Sequence, residues 1–352
     1  MPPDPSPIRL DVHAHMIPLA EAQVSGVAGV QWSPDGHVVV DGAPLKKREL
    51  YNPAALIEWM DRHGVAEAWV SVPPTLYREQ LDEDASYAWA TLLHKALIEK
   101  LAGFERLKPM LHLPVYHAAA AARVARDAIA RGHRLFAMPA GDARRGRMLS
   151  DADYTPLWQQ LDQANAFLLL HPAGACDPRL SRFSLVNLLG GPTETAIAAA
   201  HLTMSGVLEK HPGITICLAH GGGGFAAIAG RLQRGQDTDR DGTYLGGEKV
   251  RTALKRFCID CITHDADALA FAASTFGPGR VLFGSDWPFD MGLTDPHTQL
   301  QGVAAELRKD LMQRNPDALI RRMSLARPPE EARTAGRQGE GLPGTTVEET
   351  KA

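Results

Sequence analysis

Short apolar runs alternate with longer amphipathic stretches along most of the chain. Eight runs read as strands because each is brief and rich in β-branched or apolar residues: Ile8–His15, Glu67–Val72, Leu107–Pro114, Arg134–Pro139, Ala166–Pro172, Ile214–His220, Arg256–Thr263 and Arg280–Pro288. The stretches between them repeat with helical period. Ala54–His63 sets Leu56, Trp59 and Met60 on one face, and Asp84–Leu101, the alanine-rich His117–Arg131, Thr193–Lys210 and Ala266–Phe276 continue the series. Eight strands with helices between them predict an α/β fold, a parallel (β/α)₈ TIM-type barrel.

Two segments break the rhythm. Residues 16–52 separate the first strand from its helix and hold Gln31-Trp-Ser-Pro-Asp-Gly-His-Val-Val-Val40, which predicts a small hairpin turning at Asp35-Gly36. An insertion that follows a strand hangs over the C-terminal mouth of a barrel. From Pro328 onward the chain is rich in Glu, Gly, Pro, Thr and Arg and nearly free of apolar residues, which predicts a disordered tail. The expected organisation is one barrel domain over 1–327, with 16–52 as an inserted cap, and a tail over 328–352.

Composition narrows the picture further. The 352 residues are 45% hydrophobic and 22% charged, with a net charge of -4, so neither nucleic acid nor an anionic membrane is an expected partner. No apolar run approaches the roughly 20 residues of a membrane helix. The start of the chain lacks the cationic and apolar regions of a signal peptide. Four cysteines, Cys176, Cys217, Cys258 and Cys261, fit free thiols in a reducing cytoplasm. Cys258-x-x-Cys261 has no second pair and sits in a predicted strand, so it reads as two buried structural thiols.

Barrel chemistry sits at the C-terminal strand ends. The first strand ends in His13 and His15, which point the same way because side chains alternate along a strand. The fifth ends in His171, the sixth in His220 before Gly221-Gly-Gly-Gly224, and the eighth in Gly284-Ser-Asp286-Trp-Pro288. Three histidines and an aspartate (His13, His15, His171, Asp286) could bind one divalent transition metal and leave a position open. His220 would then remain free for proton transfer. His112 and His264 could line the mouth. His37, His63, His94, His117, His133, His201, His211 and His297 fall on loops or helices and read as surface residues. The fourth strand ends in Met138-Pro139 and has no lysine, the residue that bridges the two metals of binuclear barrel hydrolases, so one metal is expected.

Asp-x-His-x-His, His-Pro, His-Gly-Gly-Gly and Gly-Ser-Asp-Trp-Pro together resemble the amidohydrolase superfamily, in the branch of 2-amino-3-carboxymuconate 6-semialdehyde decarboxylase and related nonoxidative decarboxylases. The resemblance spans most of residues 8–325. It includes Asn52-Pro53, Gly191-Pro-Thr-Glu-Thr195 and Gly230-Arg231. It implies a decarboxylase of an aromatic or muconate-type acid, with one zinc or manganese ion held by His13, His15, His171 and Asp286. His220, and Asp286 with it, would handle the proton. The same resemblance leaves metal-dependent hydrolysis of a lactone, amide or ester as the alternative. It further implies a homodimer in which Arg231 reaches the neighbouring subunit's substrate, and it sets Trp287 and Phe289 beside the substrate. The pocket departs from the pattern. Pro44 stands where the decarboxylase has an arginine, with Lys46, Lys47 and Arg48 close by as replacements. A second arginine is replaced near Asp239, and Asn187 stands for a tryptophan.

Overall fold

The computed structural model describes residues 6–142, 144–243 and 247–325, so the expected tail over 328–352 lies outside the described residues. Twelve strands follow in chain order among them. These are β1 (Asp11–His15), β2 (Val30–Trp32), β3 (Val38–Val40), β4 (Ala43–Pro44), β5 (Ala68–Ser71), β6 (Leu107–Pro109), β7 (Leu111–His112), β8 (Leu135–Pro139), β9 (Phe167–His171), β10 (Thr215–Leu218), β11 (Cys258–Asp260) and β12 (Val281–Leu282). β1, β5 and β6 pair in that order, and β7 to β12 pair consecutively, every pair parallel. The chain runs from β6 into β7 through Met110, which joins the two arcs as one barrel position. The ring closes between the last position and the first. Val12 N–H donates to the Phe283 carbonyl (3.0 Å) and Asp286 N–H to the His13 carbonyl (2.7 Å). All eight predicted strands are present, each somewhat shorter than its apolar run.

The helices pack outside this ring. Pro53–His63 starts where Asn52 Oδ1 accepts from Ala54 N–H, with proline in its first turn, and stops at the left-handed Gly64. Glu83–Leu101, Ala118–Ala130 and Ala266–Phe276 match their predicted stretches to within a residue. The stretch predicted as Thr193–Lys210 is two helices, Gly191–Met204 and Val207–Lys210. The break falls at Gly206, whose φ of 76° cannot continue a helix. Thr155–Gln163, Phe225–Asp237 and Asn315–Leu325 are helices that the apolar pattern did not single out. The first is short, and the second is diluted by Gly230 and Gly235.

Inside the barrel Leu10, Val12, Met110, Ala137, Phe167, Leu169, Cys217, Cys258 and Leu282 form one cluster, plugged at its N-terminal end by Leu319 of the last helix. Cys258 and Cys261 are buried thiols, as expected. The pairing of β1 with β5 shifts register between Asp11 and Ala14. That bulge reverses the alternation: Leu10 and Val12 face inward, and beyond the shift His13 and His15 do so while Ala14 packs outward. Simple alternation along the whole strand would have sent the histidines away from the axis.

The insertion forms its predicted hairpin. Trp32 pairs with Val38 across the turn at Gly36 (φ 76°), and β4 adds a third antiparallel strand. Val40, Asp41 and Ala43 line the cavity at the barrel mouth, so the hairpin forms part of its rim. Arg78 fastens it there: its Nε and Nη2 donate to both Asp41 oxygens (2.8 and 2.9 Å), and Nη2 also donates to the Ala28 carbonyl (2.7 Å). No helix among the described residues is long and apolar enough to cross a membrane.

Candidate active site

At the C-terminal mouth, one ligand atom from each of His13, His15, His171 and Asp286 lies within 4.8 Å of the others, and all four residues are buried. Each imidazole is turned by a bond at Nδ1. His13 Nδ1–H donates to Asp260 Oδ2 (2.8 Å), and His171 Nδ1–H to the Pro172 carbonyl (2.8 Å). His15 Nδ1 meets Ser71 Oγ (3.1 Å), whose own proton is directed to the Ala14 carbonyl. Nδ1 is thus engaged in every case and Nε2 is the nitrogen turned toward the other ligand atoms, the arrangement that orients metal-ligating histidines. His13 Nε2 and His15 Nε2 are 3.1 Å apart, and His15 Nε2 lies 3.0 Å from Asp286 Oδ1, an oxygen with no hydrogen-bond partner. Ligands about 2.0–2.1 Å from a tetrahedral ion stand about 3.3 Å from each other. The donor set therefore fits one divalent cation.

Two buried carboxylates brace this cluster. Asp260 accepts from His13 and from the backbone N–H groups of His220 (2.9 Å), Gly221 (2.8 Å) and Ile262 (3.1 Å). Burial alone would raise its carboxyl, but these donors hold it below the usual range. Asp11 accepts from the backbone of His13 and Ser285 (3.0 Å each) and so pins β1 to the loop carrying Asp286; burial raises its carboxyl to about 6. The packing here admits only glycine at position 284, where a Cβ would lie 2.9 Å from both Asp260 Cβ and His13 Cβ.

The same low-polarity setting separates the titrations. Burial would lower His13, but Asp286 and Asp260 on its two sides raise it to about 10. Burial lowers His15 and His171, the latter strongly. Burial would raise Asp286, yet His13, His15 and His220 hold it well below the usual carboxylate range.

His220 stands beside the cluster. Its ring lies 5.0 Å from that of His171 and its Nε2 lies 3.8 Å from Asp286 Oδ2, while Nδ1 is buried without a partner. Both His220 (φ 55°) and Asp286 (φ 56°) sit in the left-handed region, which non-glycine residues rarely occupy and which is concentrated at functional sites. Both face a cavity of about 750 Å³, whose walls also carry Tyr77, Arg78, Glu79, Tyr116, Arg144, Asn187 and Phe289. A second chamber of about 410 Å³ adjoins it and shares Asn187, His220, Asp286 and Met291.

Other residues singled out in the sequence are placed elsewhere. Lys47 pairs with Asp290 (2.8 Å), Arg48 donates to the Asp35 carbonyl (2.9 Å), Lys46 is exposed, and none of the three lines the cavity. Trp287 is buried and is not among the lining residues. Arg231 is exposed on Phe225–Asp237, in a separate groove with Met204, Ile228 and Arg234. His264 lines the second chamber. His112 lies behind the wall, stacked on Tyr77 at 4.7 Å, and its carbonyl accepts from His94. His37, His63 and His94 are buried, contrary to the surface reading, because their helices and loops turn them into the core.

A parallel barrel with a histidine–carboxylate cluster at its C-terminal mouth defines a metal-binding barrel protein. The chain belongs to the amidohydrolase family, whose profile matches residues 10–322. It is 28% identical over 165 residues to 2-amino-3-carboxymuconate-6-semialdehyde decarboxylase of Dictyostelium discoideum, covering 46% of this chain and 46% of that protein. It is 26% identical over 300 residues to Decarboxylase yanB of Aspergillus niger, covering 80% and 77%. Several curated relatives, the first of these included, are matched over only 40 to 46% of their own length. A solved dihydroxybenzoic acid decarboxylase from Polaromonas sp. JS666, with bound manganese and the inhibitor 2-nitroresorcinol, shares the fold at a TM-score of 0.72 and 20% identity, over 92% of this chain and 98% of that one.

Proposed function

We propose that this protein is a metal-dependent nonoxidative decarboxylase of an aromatic or muconate-type carboxylic acid. His13, His15, His171 and Asp286 would hold one divalent ion, and His220 would be the acid/base residue. The observation that carries the proposal is the cluster: three imidazoles offering Nε2, one carboxylate with an unpartnered oxygen, and His220 beside them. The decarboxylase relatives support the reaction type.

When bound, the ion would supply Lewis acidity toward a substrate oxygen. The chain's own residues do the rest. His220 holds a proton near the carbon that bears the departing carboxylate, and its unpartnered Nδ1 leaves the ring free to turn and to exchange that proton. Protonation of the carbon makes the ring or diene an electron sink. The C–C bond then breaks, CO2 leaves, and its electron pair restores the conjugation. Imidazole suits the task because its pKa lies near operating pH. Tyr77, Tyr116 and Phe289 on the walls limit water around the reacting carbon.

We take the ion to be zinc, for its match to imidazole and carboxylate ligands, with manganese as the alternative. Exposed Phe183, Val186, Leu188, Leu189, Ile197 and Ile228 lie on the segments around Gly191–Met204 and Phe225–Asp237, and they support a homodimer in which Arg231 serves the partner's cavity. A cytoplasmic location fits the cysteines, none paired among the described residues. The family description favours hydrolysis as the second reading.

The test is to incubate metal-quantified protein with ortho-hydroxy and ortho-amino aromatic acids and follow CO2. Release of one CO2 per substrate, with solvent deuterium entering the ring, is the expected result. Ring opening or ester cleavage with uptake of water would replace the reading by hydrolysis. A metal-free protein as isolated, with no rescue by zinc or manganese, would overturn both.

A further inference from the structure

The basic residues expected at the cavity are occupied or turned away: Lys47 by Asp290, Arg48 by a backbone carbonyl, Arg231 toward another groove. Among the described residues only two basic side chains apart from histidine line the cavity, Arg78 and Arg144. They are not equivalent. The Arg78 side chain is 5% exposed and is tied through Nε and Nη2 to both Asp41 oxygens and the Ala28 carbonyl, which commits it to holding the hairpin. The Arg144 side chain is 65% exposed and makes a single ion pair, from Nε to Glu79 Oε1 at 3.1 Å, which leaves both Nη nitrogens without a carboxylate. An arginine fork with a free edge is shaped to take a carboxylate by two parallel hydrogen bonds.

Its position adds the second half of the argument. Arg144 lies in the loop after β8 and meets the loop after β5 through Glu79, whereas the metal cluster and His220 come from β1, β9, β10 and β12. Arg144 and Glu79 line the same cavity as His171, His220 and Asp286, of about 750 Å³, more room than a single-ring monoacid requires. Its partner Glu79 is half-buried, and burial raises its carboxyl against the pull of Arg144 and Arg145.

We propose that Arg144 is a specificity-determining residue that receives a second anionic group of the substrate, remote from the carboxylate that leaves, through the Nη edge that its pair with Glu79 does not use. The substrate class this assigns is a ring or diene dicarboxylate, or an equivalent dianion. The proposal rests on the decarboxylase reading for which end of the substrate reacts, but not for the binding it predicts.

The probes are isophthalate, with two carboxylates on one ring, and benzoate, with one. Their affinities for metal-loaded full-length protein are measured by calorimetry. Isophthalate should bind about tenfold more tightly, the size of one charge-assisted contact. Arg144→Gln should erase that advantage and leave benzoate within about twofold, Arg144→Lys should recover part of it, and Glu79→Gln should preserve or increase it. Equal wild-type affinities, or an equal loss for both acids in Arg144→Gln, would overturn the assignment. CO2 release from ortho-hydroxy and ortho-amino aromatic acids, measured on the same protein preparations, separates the two claims. Arg144-dependent isophthalate binding without decarboxylation of any acid sinks the reaction reading alone, and decarboxylation with no such dependence sinks the subsite alone.

Discussion

The two walls of the cavity are built on opposite terms. On one, His171 and Asp286 face the cavity and His13, His15 and Asp260 back them, on barrel strands or within a few residues of their ends, all nearly or fully buried, with their orientations set by backbone ladders and buried carboxylates. On the other, Asp41, Arg78, Glu79, Arg144 and Tyr116 stand on loops that hold one another by side-chain ion pairs. The first wall cannot shift without breaking the barrel. The second can be rewritten loop by loop. On the proposed function, reaction type would belong to the strands and substrate choice to the loops.

The comparison can be broken in order of effect. Asp286→Ala or His171→Ala should cost the metal and with it at least about 10³ in turnover, the scale of a lost Lewis acid; metal analysis beside kinetics checks both. His220→Ala should keep the metal and lower kcat by about 10²- to 10⁴-fold. Turnover near the wild-type rate would remove His220 from the chemistry. Asp260→Asn should weaken metal affinity by about 10- to 100-fold, since it stops holding the His13 tautomer; a competing chelator titration measures it. Arg78→Ala touches only the second wall. It should lower stability by about 1–3 kcal/mol by freeing Asp41 and speed proteolysis within residues 16–52, with metal content unchanged. If Arg78→Ala instead emptied the metal site, the separation of the two walls would be wrong.

The same division decides what was readable before the structure. The eight strands were legible because apolar runs of this length have one use in such a chain, and His13, His15, His171, His220 and Asp286 because each interrupts or ends such a run. Asp260 sat in plain view as a lone charge between Ile259 and Cys261. Its signal is a carboxylate inside a fully buried strand, flanked by cysteines that carry the more familiar pattern. Lys46, Lys47 and Arg48 lie close to Pro44 along the chain, but proximity along a loop does not fix where a long side chain points. Arg78 and Arg144 carried no pattern at all, because their meaning depends on partners 37 and 65 residues away. The bulge in β1 had no sequence signal either, yet it is what turns the two histidines inward.

The barrel's closure has a consequence for how the site comes into being. Asp11 meets Ser285 across 274 residues, and His13 meets Asp260 across 247. The first ligands leave the ribosome near the beginning of synthesis and the last near the end, with no local substitute for either. A growing chain thus has two of the four candidate ligands for its first half and three until Asp286 emerges, and on the metal-site reading the full set would exist only in a finished barrel. On the metal-site reading, loading would be a late event in biogenesis, and a chain cut short before β12 should carry no ion when its metal content is measured.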